Sequence, residues 1–145
     1  MDYPIIRLLS RMGVVVDDRV KYWIDLAEED LSAAKALLNN NNLLHVAFNC
    51  HQVAEKSIKA VIARDLPEGE IPPKIHDLIK LASCASLMNI LSNQQKSLLR
   101  ELDPLNIEAR YPRFGLNIKS KITKENCEKH ITEVEQFLCW IKKQL

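Results

Sequence analysis

Glycine is scarce in this 145-residue chain, with three residues against six prolines. So few turn-formers argue against a β fold built from many short strands and tight hairpins. Aromatics make up only 6% of the chain. The four cysteines, Cys50, Cys84, Cys127 and Cys139, stand far apart with no CxxC and no neighbouring histidine cluster. That pattern excludes a zinc module and a disulfide-stapled secreted scaffold, and it fits free thiols in a reducing compartment. No apolar run reaches the length of a membrane span. The stretch Met1–Val16 is apolar in patches, but Arg7 and Arg11 interrupt it and no small-residue cleavage site follows. We therefore expect a cytoplasmic protein with no membrane segment, in which residues 1–16 are an extension and residues 17–145 the folded domain. A formal net charge of +1 excludes a surface that coats nucleic acid nonspecifically over its whole extent.

What the chain does have is helix formers. Leu, Ala, Lys, Glu and Ile dominate, and 145 residues suffice for one domain with a core of its own. The pattern predicts an all-α, antiparallel up-and-down bundle of four to five helices. In the first, from about Asp17 to Asn40, Trp23, Leu26, Ala27, Asp30, Ala34, Leu37 and Leu38 recur at steps of three and four. Asp17 or Asp18 caps its start, and the run Asn39-Asn40-Asn41-Asn42 stops it, because Asn tolerates the left-handed conformation. The second, Leu43 to Arg64, carries Leu44, Ala47, Phe48, His51, Ala54, Ile58, Val61 and Ile62. So short a connection makes the pair an antiparallel hairpin. Leu66–Pro73, with three prolines and a glycine, is the longest loop.

A third helix is predicted from His76 to Leu87. Ser92 opens a fourth through a capping box with Gln95, and its stripe is Leu98, Leu99, Leu102 and Leu105. Pro104 should kink or interrupt it, and Tyr111-Pro112 should end it. The last helix runs from about Thr123 to the C-terminus, with Cys127, Ile131, Val134, Leu138, Ile141 and Leu145 as its seam and Phe137 and Trp140 widening it.

Charge is segregated along the chain. Residues 17–30 hold six acids and two bases, net −4, whereas residues 96–124 hold seven bases and three acids, net +4. Either the two stretches pair, within a chain or across a dimer, or the basic one takes an anion.

Three groups of residues are chemically suggestive. Asp30 and His51 lie at similar distances from the Asn turn, which would bring a carboxylate to an imidazole, as an acid–base unit or as a buried pair fixing register. His76-Asp77 opens a helix; capping accounts for Asp77, while His76 is free for an anion. In Glu108-Ala109-Arg110-Tyr111-Pro112-Arg113, two guanidinium forks flank an aromatic ring at a helix break. That arrangement suits a phosphate and a stacked base, or else a helix end tied by Arg110 with Tyr111 plugging the core.

Taken in order, Tyr22-Trp23, Leu26-Ala27-Glu28-Glu29-Asp30-Leu31, Ala47-Phe48-Asn49-Cys50-His51-Gln52-Val53-Ala54-Glu55-Lys56, His76-Asp77-Leu78 and Ile107-Glu108-Ala109-Arg110-Tyr111-Pro112 resemble the HEPN family. The resemblance runs from about Val20 to Trp140. It implies a helical-bundle homodimer joined through the first helices, often encoded beside a minimal nucleotidyltransferase, and many members are RNA-cleaving toxins. Their signature is an Arg followed four to six residues later by His. Arg7, Arg11, Arg19, Arg64, Arg100, Arg110 and Arg113 are all the arginines here, and none has a His at that spacing. The chain resembles the branch that keeps Arg-Tyr-Pro instead. Ile75 also stands where relatives place a capping Thr or Ser, and Asn106 replaces a frequent aromatic.

The resulting expectation is a nucleotide- or RNA-associated binding module, partnered by a nucleotidyltransferase in a toxin–antitoxin-type pair. It has no catalytic residue, metal or cofactor. Its ligand contacts are Arg110, Tyr111 and Arg113, supported by His76 and Lys56. An RNA-cleaving toxin using His51 or His76 as base is the alternative, and a dimerisation protein without ligand a second.

Overall fold

The computed structural model describes residues 18–110 and 121–145, and the side chains of 18–106 and 121–145. These residues form five helices, α1 (Asp18–Asn39), α2 (Leu43–Asp65), α3 (Leu78–Cys84), α4 (Asn93–Arg110) and α5 (Lys124–Gln144), and no strand. The extension 1–16, Tyr111, Arg113 and the turn at Gly115 lie outside the described residues.

The Asn run works as its chemistry dictates. Asn41 takes the left-handed conformation at φ 59°. The N–H of Asn42 then donates to the Leu37 carbonyl at 2.9 Å and that of Asn41 to Leu38 at 3.0 Å. This crossed pair satisfies carbonyls that the end of α1 would otherwise orphan. The same device ends α3. Ser86 is left-handed at φ 57°, and the N–H groups of Leu87 and Ser86 donate to Ala82 and Ser83. The reciprocal cap of α4 is also made: Gln95 N–H donates to Ser92 Oγ at 3.0 Å, and Ser92 N–H to Gln95 Oε1 at 2.9 Å. Thr123 caps α5 through the Asn126 N–H. The Pro-rich loop is held down by Arg19, whose guanidinium donates to the carbonyls of Leu66, Pro67 and Glu70 at 2.6–2.9 Å.

α2 is the hub, packing against all four other helices. From Val46 to Ala63 it is buried almost all round, as a helix must be when neighbours leave it no solvent face. On α1 the buried line is Val20, Ile24, Ala27, Leu31 and Ala34. Trp23, Leu37 and Leu38, expected in the same stripe, are only partly buried on its flank. On α4 Leu98, Leu99, Leu102 and Leu105 are buried, and on α5 the seam from Cys127 to Ile141 is buried with Phe137.

Helix α3 differs from expectation at both ends, stopping at Cys84 instead of Leu87. α3 starts at Leu78, not His76, because Asp77 is itself the cap and its carboxylate accepts from the Lys80 N–H. α4 runs without interruption through Pro104. Pro104 is exposed and breaks only its own hydrogen bond, to the Arg100 carbonyl, while the neighbouring Leu102 and Leu105 stay packed.

Candidate functional site

The centre of polarity is a line of side chains one turn apart on α2. His51, Glu55 and Lys59 all lie inside the protein, at 0%, 4% and 5% exposure. Glu55 is the junction. Its Oε1 accepts from His76 Nδ1 at 2.8 Å and its Oε2 from Lys59 Nζ at 3.1 Å. The Lys59 ammonium also sits 5.4 Å from the centre of the Trp23 ring, a further source of stabilisation for a desolvated cation. Burying a carboxylate is costly unless it is paired and hydrogen-bonded, and both conditions are met.

His76, by contrast, lies before the cap of α3 with its side chain 57% exposed. A carboxylate can only accept, so Nδ1 carries a proton, and in the neutral ring Nε2 keeps the lone pair. The imidazole is thus a base of fixed tautomer, oriented by a buried acid. Its backbone is held too, since His51 Nε2 lies 3.0 Å from the His76 carbonyl and donates to it. That donation fixes His51 as the other tautomer. Its Nδ1 then has no hydrogen-bond partner, and the nearest carboxylate oxygen, Glu55 Oε1, is 4.0 Å away. Asp103 completes the enclosure: Oδ1 accepts from the Leu78 N–H at 2.7 Å and lies 3.8 Å from His51 Nε2.

Asp30 and His51 are therefore not partners. Asp30 forms an ion pair with Lys56, tying α1 to α2, while His51 turns toward the loop before α3. Five residues separate His51 from Lys56, which puts them about 140° apart around a helix. Within one chain, two acids of the 17–30 stretch also find partners elsewhere. Glu28 pairs with Lys142 and Asp30 with Lys56, both cations outside the basic stretch 96–124.

Of the expected ligand contacts, His76 is exposed and Lys56 is engaged with Asp30. Arg110 ends α4, with its side chain outside the described residues, as are Tyr111 and Arg113. Asn106 is buried and accepts from Gln52 Nε2 at 3.1 Å, so it ties α4 to α2. Sequence reasoning missed Glu55, Lys59 and Asp103. The spacing of His51, Glu55 and Lys59, four residues each, was the available signal. Among the described residues no group of three or more His, Cys, Asp or Glu is placed to hold a metal, and no helix is long and apolar enough to cross a membrane.

Two of the four thiols are inert by burial. Cys50 is pushed up to about 12, chiefly by desolvation and then by neighbouring Cys127. Cys127 is pushed up to about 11, by desolvation and then by Glu128. Cys84 and Cys139 are exposed.

Four helices around a buried α2, with a polar line in the interior, define an all-α bundle of the kind that carries sites between helices. Residues 20–144 match the HEPN domain model, and the chain belongs to the HEPN family. It is 29% identical over 134 residues to "Putative toxin MJ1304" of Methanocaldococcus jannaschii, covering 84% of this chain and 85% of that protein. The crystal structure of TT1696 from Thermus thermophilus has the same fold, with a TM-score of 0.76 at 18% identity. The match covers 89% of this chain and all of TT1696.

Proposed function

We propose that this protein is a HEPN module associated with nucleotide or RNA, acting in a toxin–antitoxin-type pair with a minimal nucleotidyltransferase as partner and working as a homodimer. Family membership over residues 20–144, with a relative named as a toxin matched along most of both chains, is the observation that carries the reading. The ligand contacts in it are Arg110, Tyr111 and Arg113, with His76 at the start of α3 and Lys56 on α2. Guanidinium groups beside an aromatic ring recognise phosphate and base together. Co-purification from the native host tests the partnership: a nucleotidyltransferase is expected in the complex. Its absence, together with failure of the purified protein to bind RNA or nucleotides, would reject the proposal.

One observation favours a second reading, an RNA-cleaving toxin with an unusual active site. The Glu55–His76 pair presents an oriented base, Nε2, at the surface. Such a base can take the proton of a ribose 2′-hydroxyl as that oxygen attacks the adjacent phosphorus and the 5′-oxygen leaves. Incubation with single-stranded RNA decides between the readings. Cleavage abolished by His76→Ala would favour the toxin, and intact RNA the binding module.

A further inference from the structure

Away from the Glu55 network, α4 and α5 enclose an open cleft of about 430 Å³, within the roughly 300–1,000 Å³ typical of small-molecule sites. Its wall carries Arg100, Lys121, Lys129 and His130 against a single lining acid, Glu101. Glu101 Oε2 lies 3.2 Å from His130 Nε2 and 3.8 Å from Lys129 Nζ, and Lys129 also meets Glu133 at 3.6 Å. Arg100 and Lys121 form no ion pair among the described residues. Two cations without counter-ions among the described residues leave an excess of donors on one cleft, suited to a phosphate.

The cleft also offers an acceptor. Pro104 lines it and has no N–H, so the Arg100 carbonyl lacks the partner that any other residue at position 104 would supply. Beside it Pro104 and Leu105 give an apolar surface on which a flat ring can lie.

We propose that this cleft binds a phosphorylated nucleoside whose base carries an exocyclic amine. Arg100 and Lys121 hold the phosphate, and the Arg100 carbonyl accepts from the amine. The ligand is either a free nucleotide or one unit of an RNA chain. This inference rests on the nucleotide- or RNA-associated reading and adds to its Arg110, Tyr111 and Arg113 contacts a second, separate place, with a base preference of its own.

The test is a titration of the ¹⁵N-labelled protein, following amide shifts, with AMP, IMP, inorganic phosphate and a short oligoadenylate. AMP is expected to shift amides of residues 97–105 and 121–130. IMP, with a carbonyl in place of the amine, should bind several-fold more weakly. Arg100→Ala/Lys121→Ala should weaken AMP at least tenfold without lowering Tm, because both residues are exposed. Glu101→Gln should strengthen AMP binding by removing the competing anion. A stronger response to oligoadenylate than to AMP assigns the site to RNA, and the reverse assigns it to the free nucleotide. Equal affinity for AMP, IMP and phosphate would overturn base recognition. Oligoadenylate binding that shifts only residues outside the cleft would overturn the site while sparing the module. No response to any probe would overturn both.

Discussion

His76 and Glu55 are 21 residues apart in sequence and 2.8 Å apart in space, an exposed imidazole held by an almost wholly buried carboxylate. The same carboxylate neutralises the interior Lys59, so one side chain both positions a surface base and compensates a core charge. Glu55→Ala is expected to destabilise the fold by about 3–5 kcal/mol, the cost of leaving a buried charge unpaired. Glu55→Gln, which keeps a carbonyl acceptor, should cost less and leave His76 in place. His76→Ala should cost least of the three. Urea unfolding of the three variants ranks them, and the reverse order would refute this account of the network.

Arg110→Ala separates ligand binding from structure. A binding role predicts weaker affinity for RNA or nucleotide, with Tm nearly unchanged. A large loss of Tm with intact affinity would end the functional assignment of that residue.

Thiol chemistry should divide the cysteines two and two. With a thiol-reactive dye at pH 8, Cys84 and Cys139 are expected to react in the folded protein and Cys50 and Cys127 only after unfolding. Their raised values also set a pH dependence. An unfolded thiol ionises near 9.0, while Cys50 holds its proton to about 12. The stability contributed by the protonated buried thiol is therefore full below pH 9 and declines as pH rises toward 12. The slope is about 1.4 kcal/mol per pH unit for one such group. Denaturant melts under reducing conditions, comparing wild type with Cys50→Ala, isolate this contribution; equal slopes would refute it.

For the dimer, α1 carries more apolar surface than one bundle covers. Tyr22 is 57% exposed, and Trp23 and Leu37 are only partly buried. Sedimentation is expected to show a dimer at micromolar concentration and moderate salt, with Tyr22→Glu shifting it toward monomer. A wild-type monomer under those conditions would reject a dimer through this face.

Ser86 occupies a left-handed position that a side chain adopts at a cost. Ser86→Gly should raise stability by up to about 1 kcal/mol, the relief of that strain reduced by the added freedom of glycine in the unfolded chain. A chemical melt checks the sign.

Local features were legible because local chemistry fixes them. The Asn39–Asn42 stop, the Ser92–Gln95 cap and the leucine stripe of α4 depend on residues within a turn or two of one another. Pro104 does not interrupt α4, because its penalty is local and packing on both sides carries the helix past it. The Asp30–His51 pairing failed for a different reason. Counting residues from a turn gives a height along two helices but not the angle each side chain takes, and about 140° of rotation separates His51 from the position that Asp30 meets.

The sequence by itself determined the Asn stop after α1, the caps of α4 and α5, the class of the fold, and the order of motifs that marks a HEPN chain. Only the tertiary structure decided that α2 is surrounded on almost every side, that Glu55 joins His76 to Lys59, and that α4 and α5 leave a basic cleft. Caps and periodicities are written in neighbouring residues, while burial and charge pairing depend on which distant segments close around a helix.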